Sequence, residues 1–183
     1  MPRKESITRQ AIFDAAFAML REEGIENVTA RKLAAKIGCS TQPIFRVYKN
    51  MDELQAAAYE QAAVFLATYC NEYGEKAKEP FVNLGMAYIS FAAAEKNLFR
   101  LLFLSKQTYA KSMYELLNGE RGAVSNELQK ATVLGCKDPG ELFTKMWIFI
   151  HGAASMTLTG DYDLGEEETC KLLIKSYQAF SNC

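Results

Sequence analysis

Residues 11–54, AIFDAAFAMLREEGIENVTARKLAAKIGCSTQPIFRVYKNMDEL, decide the fold. Ile12, Ala15, Ala16, Met19 and Leu20 recur at the 3.6-residue spacing of an amphipathic helix, with Ser6 or Thr8 as its cap and Glu23-Gly24 as its stop. Thr29 caps a second, short helix over Ala30–Ile37, which turns Leu33, Ala34 and Ile37 to one side and Arg31, Lys32 and Lys36 to the other before Gly38 ends it. After the turn Gly38-Cys39-Ser40 a third short helix runs to Tyr48. Pro43 is tolerated there because first-turn amides have no intrahelical acceptor to lose.

Two short helices joined by a tight Gly-containing turn, behind a longer packing helix, form the plan of a helix-turn-helix DNA reader. The helical wheel of the third segment separates two faces. Ile44 and Tyr48 lie one turn apart and face Leu33 and Ile37, whereas Gln42, Phe45, Arg46 and Lys49 follow i, i+3, i+4, i+7 spacing on the opposite side. Gln can bond adenine N6 and N7, Arg can fork onto guanine or reach a phosphate, and an aromatic ring or a Thr methyl can pack on the thymine methyl. Lys49, at the helix end, is better placed for phosphate.

The same run resembles the DNA-binding domain of the tetracycline-repressor (TetR) family over about residues 8–60, in its order of helix, Gly, Thr cap, Leu-Ala-x-x-x-Gly-x-Ser turn, recognition helix, aromatic-Lys-Asn and acidic-Glu-Leu helix start. The resemblance implies a DNA-facing set of Thr29, Arg31, Ser40, Thr41, Gln42, Phe45, Arg46, Tyr48 and Lys49. The chain departs from the family pattern at Gln42 (usually Gly), Pro43 (Thr or Ser), Phe45 (Tyr) and Val47 (His). Val47 forfeits a phosphate donor, and Gln42 replaces close backbone approach with a side chain long enough to read a base.

Outward from this run the pattern stays helical. A long fourth helix begins at Asn50 or Asp52 and passes Leu54, Ala58, Phe65 and Tyr69 to about Ala77. Residues 80–95 and 97–104 continue it, one or two segments fall between 105 and 134, and helices over Pro139–Thr159 and 166–180 close the chain. The expected architecture is all-α, about nine helices: a three-helix head over residues 1–50 and a larger helical bundle over 51–183 for ligand sensing and dimerisation. By resemblance the last two helices make a homodimer. Gly152, Ala153, Ala154 and Ser155 permit close helix approach, and Leu172, Leu173, Tyr177 and Phe180 recur at helical spacing.

Trp147 to Gly152, WIFIHG, resembles the Trp-x-x-x-His-Gly signature of TetR C-terminal domains of the WHG type. Trp147 and His151 are i, i+4 neighbours, so one helix face can stack on and hydrogen-bond a ligand; the plainer reading is a core Trp packed on a buried His bonded to a backbone carbonyl. Aromatic and Met residues, among them Tyr88, Tyr114 and Met146, suit an apolar cavity or the core. The expected ligand set is Phe65, Tyr69, Met86, Phe91, Phe103, Trp147 and His151.

Charge supports a DNA partner. Residues 1–50 hold nine Lys and Arg against five Asp and Glu, so within a chain of net charge −1 the remainder carries −5. A basic head on an acidic body lets one end meet phosphate while the rest avoids it. With one His, no Gly-rich phosphate loop and no metal-ligand spacing, neither an enzyme nor a metal or other cofactor is expected. The five cysteines (Cys39, Cys70, Cys136, Cys170 and Cys183) lack any Cys-x-x-Cys pair and are expected reduced and mostly buried. No uncharged stretch suits a bilayer and the start lacks an apolar signal core, so a cytoplasmic protein without a membrane partner is expected. The implied function is a regulator, as a repressor, released from a near-palindromic double-stranded operator by an unidentified small hydrophobic inducer. A thiol-based redox sensor with Cys70, Cys136 or Cys170 as the switch, or a ligand-free DNA-binding module, are the alternatives.

Overall fold

In a computed structural model that describes residues 7–105, 111–119 and 122–181, every regular element among the described residues is helical. Ser6, the alternative cap of the first helix, and Arg3, Lys4, Glu5 and Cys183 lie outside them. The described residues form two compact units: one takes residues up to 64 together with 97–105, the other takes 65–96 together with those from 111 onward.

The first unit begins with α1 (Arg9–Glu23), whose Thr8 Oγ1 accepts from Ala11 N at 3.1 Å. Its inward face is Ile12, Ala16, Met19 and Leu20, and Gly24 stops it at φ +90°. A 3₁₀ turn over Ile25–Asn27 leads to α2 (Ala30–Ile37), capped by Thr29 and closed by Gly38 in the left-handed conformation, which glycine alone adopts without strain. Next come α3 (Gln42–Val47) and α4 (Met51–Glu72). Asn50 Oδ1 accepts from Glu53 N at 2.9 Å while Glu53 Oε2 accepts from Lys49 N at 2.7 Å, a reciprocal cap that fixes the start of α4. Residues 97–105 also belong here: α6 (Lys96–Phe99) passes into a π-helical turn over Arg100–Leu104, and Asn97 Nδ2 donates to Arg21 O at 2.9 Å.

The second unit is built on α5 (Val82–Ala94), buried on nearly every side against α9 (Pro139–Thr159) and α10 (Glu166–Ser181). α7 (Met113–Asn118) starts with a Ser112/Glu115 capping box, and α8 (Ala123–Val133) packs on α9. Gly85 lets α5 approach its neighbours. A Cβ there would lie 2.7 Å from Ile150 Cδ1 and 3.1 Å from Leu173 Cδ1. Gly85→Val is therefore expected to overpack this junction and lower stability by about 2 kcal/mol, read as a reduced urea midpoint at unchanged slope. An unchanged midpoint would mean that the junction yields freely.

Ten α-helices are found among the described residues against about nine expected, the stretch between 105 and 134 holding two of them, α7 and α8. α4 ends at Glu72, not near Ala77, because Gly74 turns at φ +85° and Asn83 Oδ1 accepts from Lys76 N and Ala77 N at 2.8 and 2.9 Å. α5 starts at Val82, not Pro80, since Phe81 itself sits at φ +66°. Cys39, Cys70, Cys136 and Cys170 are half-buried free thiols, where deeper burial was expected; each sits near an element end or on a half-covered helix face.

Candidate functional site

α3 is two-sided. Ile44 and Tyr48 are 0% and 2% exposed, whereas Gln42, Phe45, Arg46 and Lys49 are exposed together, Phe45 at 49%. Phe45 is thus left half in water on a helix whose other side is core. Ser40 and Thr41 are exposed in the preceding turn, and Thr41 makes no capping bond with its hydroxyl. Thr29 is engaged as a cap, its Oγ1 accepting from Lys32 N at 3.3 Å. Tyr48 stands apart from the set: it is core, with the Arg9 guanidinium 4.7 Å from its ring centre, and Arg9 reaches Glu53 at 3.6 Å.

The cations divide similarly. Lys36 pairs with Glu22 at 2.8 Å and Lys32 with Glu23 at 3.7 Å, ties that fasten α2 to α1. Arg31, Arg46 and Lys49 are exposed and carry no ion pair among the described residues. Their charge is thus available to phosphate or base.

The seven residues expected around a ligand have the following surroundings. Phe91 meets Phe65 at 6.4 Å and Tyr69 edge-on at 5.5 Å between ring centres, and Tyr69 shares a 2.8 Å hydrogen bond with Ser90. Phe103 belongs to the first unit, 5.1 Å from Phe99. Trp147 is 5% exposed, T-shaped on Tyr88 at 4.6 Å and flanked by Phe143 and His151. Met86 alone of the seven lines the cavity formed by α5, the end of α9 and the start of α10.

Tyr88 links the Trp147–His151 pair to α5, with its hydroxyl 2.9 Å from His151 Nδ1. Burial raises the Tyr88 phenol well above its ordinary range, so it stays protonated at neutral pH. Burial also holds the imidazole below its ordinary value of 6.5. The unfolded chain therefore binds that proton first as pH falls: the stability tied to neutral His151 is intact above about 6.5 and is lost as pH drops from there toward the folded value. Between pH 7 and pH 5 the wild-type chain is expected to lose more stability than His151→Gln; parallel urea-midpoint profiles would contradict this. The Cys70 thiol is pushed up to about 12 by burial and so holds little thiolate at neutral pH.

A second apolar feature runs along α9. Ile148, Gly152 and Met156 recur every four residues, Ile148 is 69% exposed and Met156 45%, and a Cβ on Gly152 would touch nothing within 4 Å. With Leu164 and Leu172 they line a groove of about 600 Å³. No helix among the described residues is long and apolar enough to cross a membrane.

Residues 12–58 match the sequence profile of bacterial regulatory proteins, tetR family. No curated protein matches the chain. Among solved structures, a protein from Vibrio parahaemolyticus described as a TetR-family transcriptional regulator is 17% identical, with 93% of this chain and 97% of that one superposed at a TM-score of 0.66. A TetR-family transcriptional regulator from Rhodococcus sp., so described, is 17% identical over 94% and 98% of the two chains at 0.62. A TetR-like regulator from Rhodococcus sp. RHA1 is 14% identical over 97% and 96% at 0.64. At these identities the shared property is the fold.

Proposed function

We propose, from the premise that residues 12–58 belong to the tetR family of bacterial regulatory proteins, that the chain is a DNA-binding transcription regulator reading its operator with α3. One observation carries this reading. The face of Gln42, Phe45, Arg46 and Lys49 is exposed as a unit on a helix whose opposite side, Ile44 and Tyr48, is core. Arg31, Ser40, Thr41 and the capping Thr29 flank that face on α2 and the turn. Gln42 and Arg46 supply hydrogen bonds to base edges, Phe45 an apolar contact for a thymine methyl, and Lys49 a phosphate contact.

Lys49→Ala is expected to weaken binding to all duplexes alike and to reduce the salt slope of log K by about 1, whereas Thr41→Ala relaxes sequence preference with little change of slope. The check is fluorescence anisotropy at several NaCl concentrations. A Lys49→Ala defect confined to one sequence would contradict the assignment.

The working unit in this reading is a homodimer in the cytoplasm. The Ile148–Gly152–Met156 stripe, apolar, exposed and open at glycine, supports pairing of α9 and α10 with a second copy. Two copies present two α3 helices to a near-palindromic operator. The chain acts as a repressor that a small molecule releases by binding better to a dimer whose heads are spaced wrongly for the groove.

A further inference from the structure

The second unit holds a cavity of about 430 Å³, within the range of small-molecule pockets. Its apolar wall is Met86, Ile89, Ala93 and Leu164. Two charged side chains reach it, and they differ. Glu166 is compensated, 3.0 Å from Lys76 Nζ and 3.3 Å from the Tyr73 hydroxyl. Lys96 has neither an ion pair nor a hydrogen bond among the described residues. Tyr162 and Thr169, also lining, share one 2.9 Å hydroxyl–hydroxyl bond, which leaves a hydroxyl hydrogen to donate. The cavity thus offers apolar wall, one uncompensated cation and a spare donor, and no uncompensated anion.

We propose that this cavity binds an amphipathic monocarboxylate, its hydrocarbon body against Met86, Ile89 and Leu164 and its carboxylate on Lys96. A cation finds no open counter-charge there, and a neutral amide leaves Lys96 unpaired. Lys96 directly precedes Asn97, whose amide holds the Arg21 carbonyl at the end of α1. Lys96 is thus one residue along the chain from that bond within the first unit. This names the ligand class for the small-molecule control proposed above and rests on that reading for its purpose. Binding is measured without DNA, so its failure is separable from failure of operator recognition.

The test is calorimetric titration of the full chain with octanoate, octanamide and octylamine. Octanoate is expected to bind about fivefold tighter than octanamide at low salt, the scale of one partly exposed charge pair, with the preference shrinking as NaCl is raised. Octylamine is expected to bind no better than the amide. Lys96→Gln should reduce octanoate to the octanamide level. Ala93→Trp, at an exposed lining position, should fill the cavity and abolish both while the melting temperature of the free protein stays near wild type. Equal affinity for acid and amide, an unaltered acid preference in Lys96→Gln, undiminished binding to Ala93→Trp, or no octanoate binding would each overturn the proposal.

Discussion

Replacing Gln42 and Arg46 together by alanine is expected to lower operator affinity by about a hundredfold or more while leaving the melting temperature unchanged. Each base contact of this kind discriminates by about 1–3 kcal/mol, so two lost contacts reach about 3 kcal/mol, or more than two powers of ten in Kd. Both side chains are exposed on the face away from Ile44 and Tyr48, so truncation leaves the head's core intact. Specificity is the sharper readout: affinity for a scrambled duplex should fall far less than for the operator, because phosphate contacts position and base contacts specify. Equal losses on both duplexes would reduce these residues to general cations and packing.

Glu127→Ala is expected to cost about 3 kcal/mol of stability. Phe81 is a bulky residue at φ +66°, a conformation L side chains rarely adopt, and its buried N–H donates to Glu127 Oε2 at 2.6 Å. Glu127 Oε1 in turn takes Lys130 Nζ at 2.6 Å, and the Phe81 ring meets Phe143 at 5.6 Å. Alanine would leave a buried amide without an acceptor and take away a charged partner, a loss at the upper end of roughly 1–3 kcal/mol, with the strain at Phe81 still carried by the folded chain. Glu127→Gln keeps an acceptor and loses the charge, so it should cost about 1 kcal/mol. Urea unfolding of the three proteins measures both steps. A loss below about 0.5 kcal/mol for alanine, the range of ordinary surface changes, would mean that the turn at Phe81 holds itself.

The head was legible because its signals are local. Thr8 and Thr29 cap from within three residues of the amides they satisfy, Gly24 and Gly38 stop their helices in place, and the four-residue spacing of Ile44 and Tyr48 names the inward side of α3. The same locality exposed Gln42, Phe45, Arg46 and Lys49 as one face. Tyr48 shows the limit: periodicity put it in the core while resemblance put it among DNA contacts, and its position under Arg9 is the core one.

Legibility faded where partners are distant in sequence. The end of α4 is set by Asn83, a side chain from the next element, and the start of α5 by a carboxylate 46 residues on. Trp147 and His151 could be paired from their spacing, but Tyr88, the partner of both, lies 63 residues from His151. For the aromatic residues expected around a ligand, helix periodicity marks an inward face without saying what it faces. Lys96, Tyr73 and Glu166 carried no pattern at all; only folding brings them to one cavity.

Selection from a random duplex library with the purified protein tests the DNA-reading function most directly. The expected result is an inverted repeat whose half-sites are centred about one helical turn, roughly 34 Å, apart or a multiple of it, with enrichment lost in the Gln42→Ala, Arg46→Ala double variant. Recovery of no enriched sequence, or the same sequence from wild type and the double variant, would contradict recognition by the exposed face of α3.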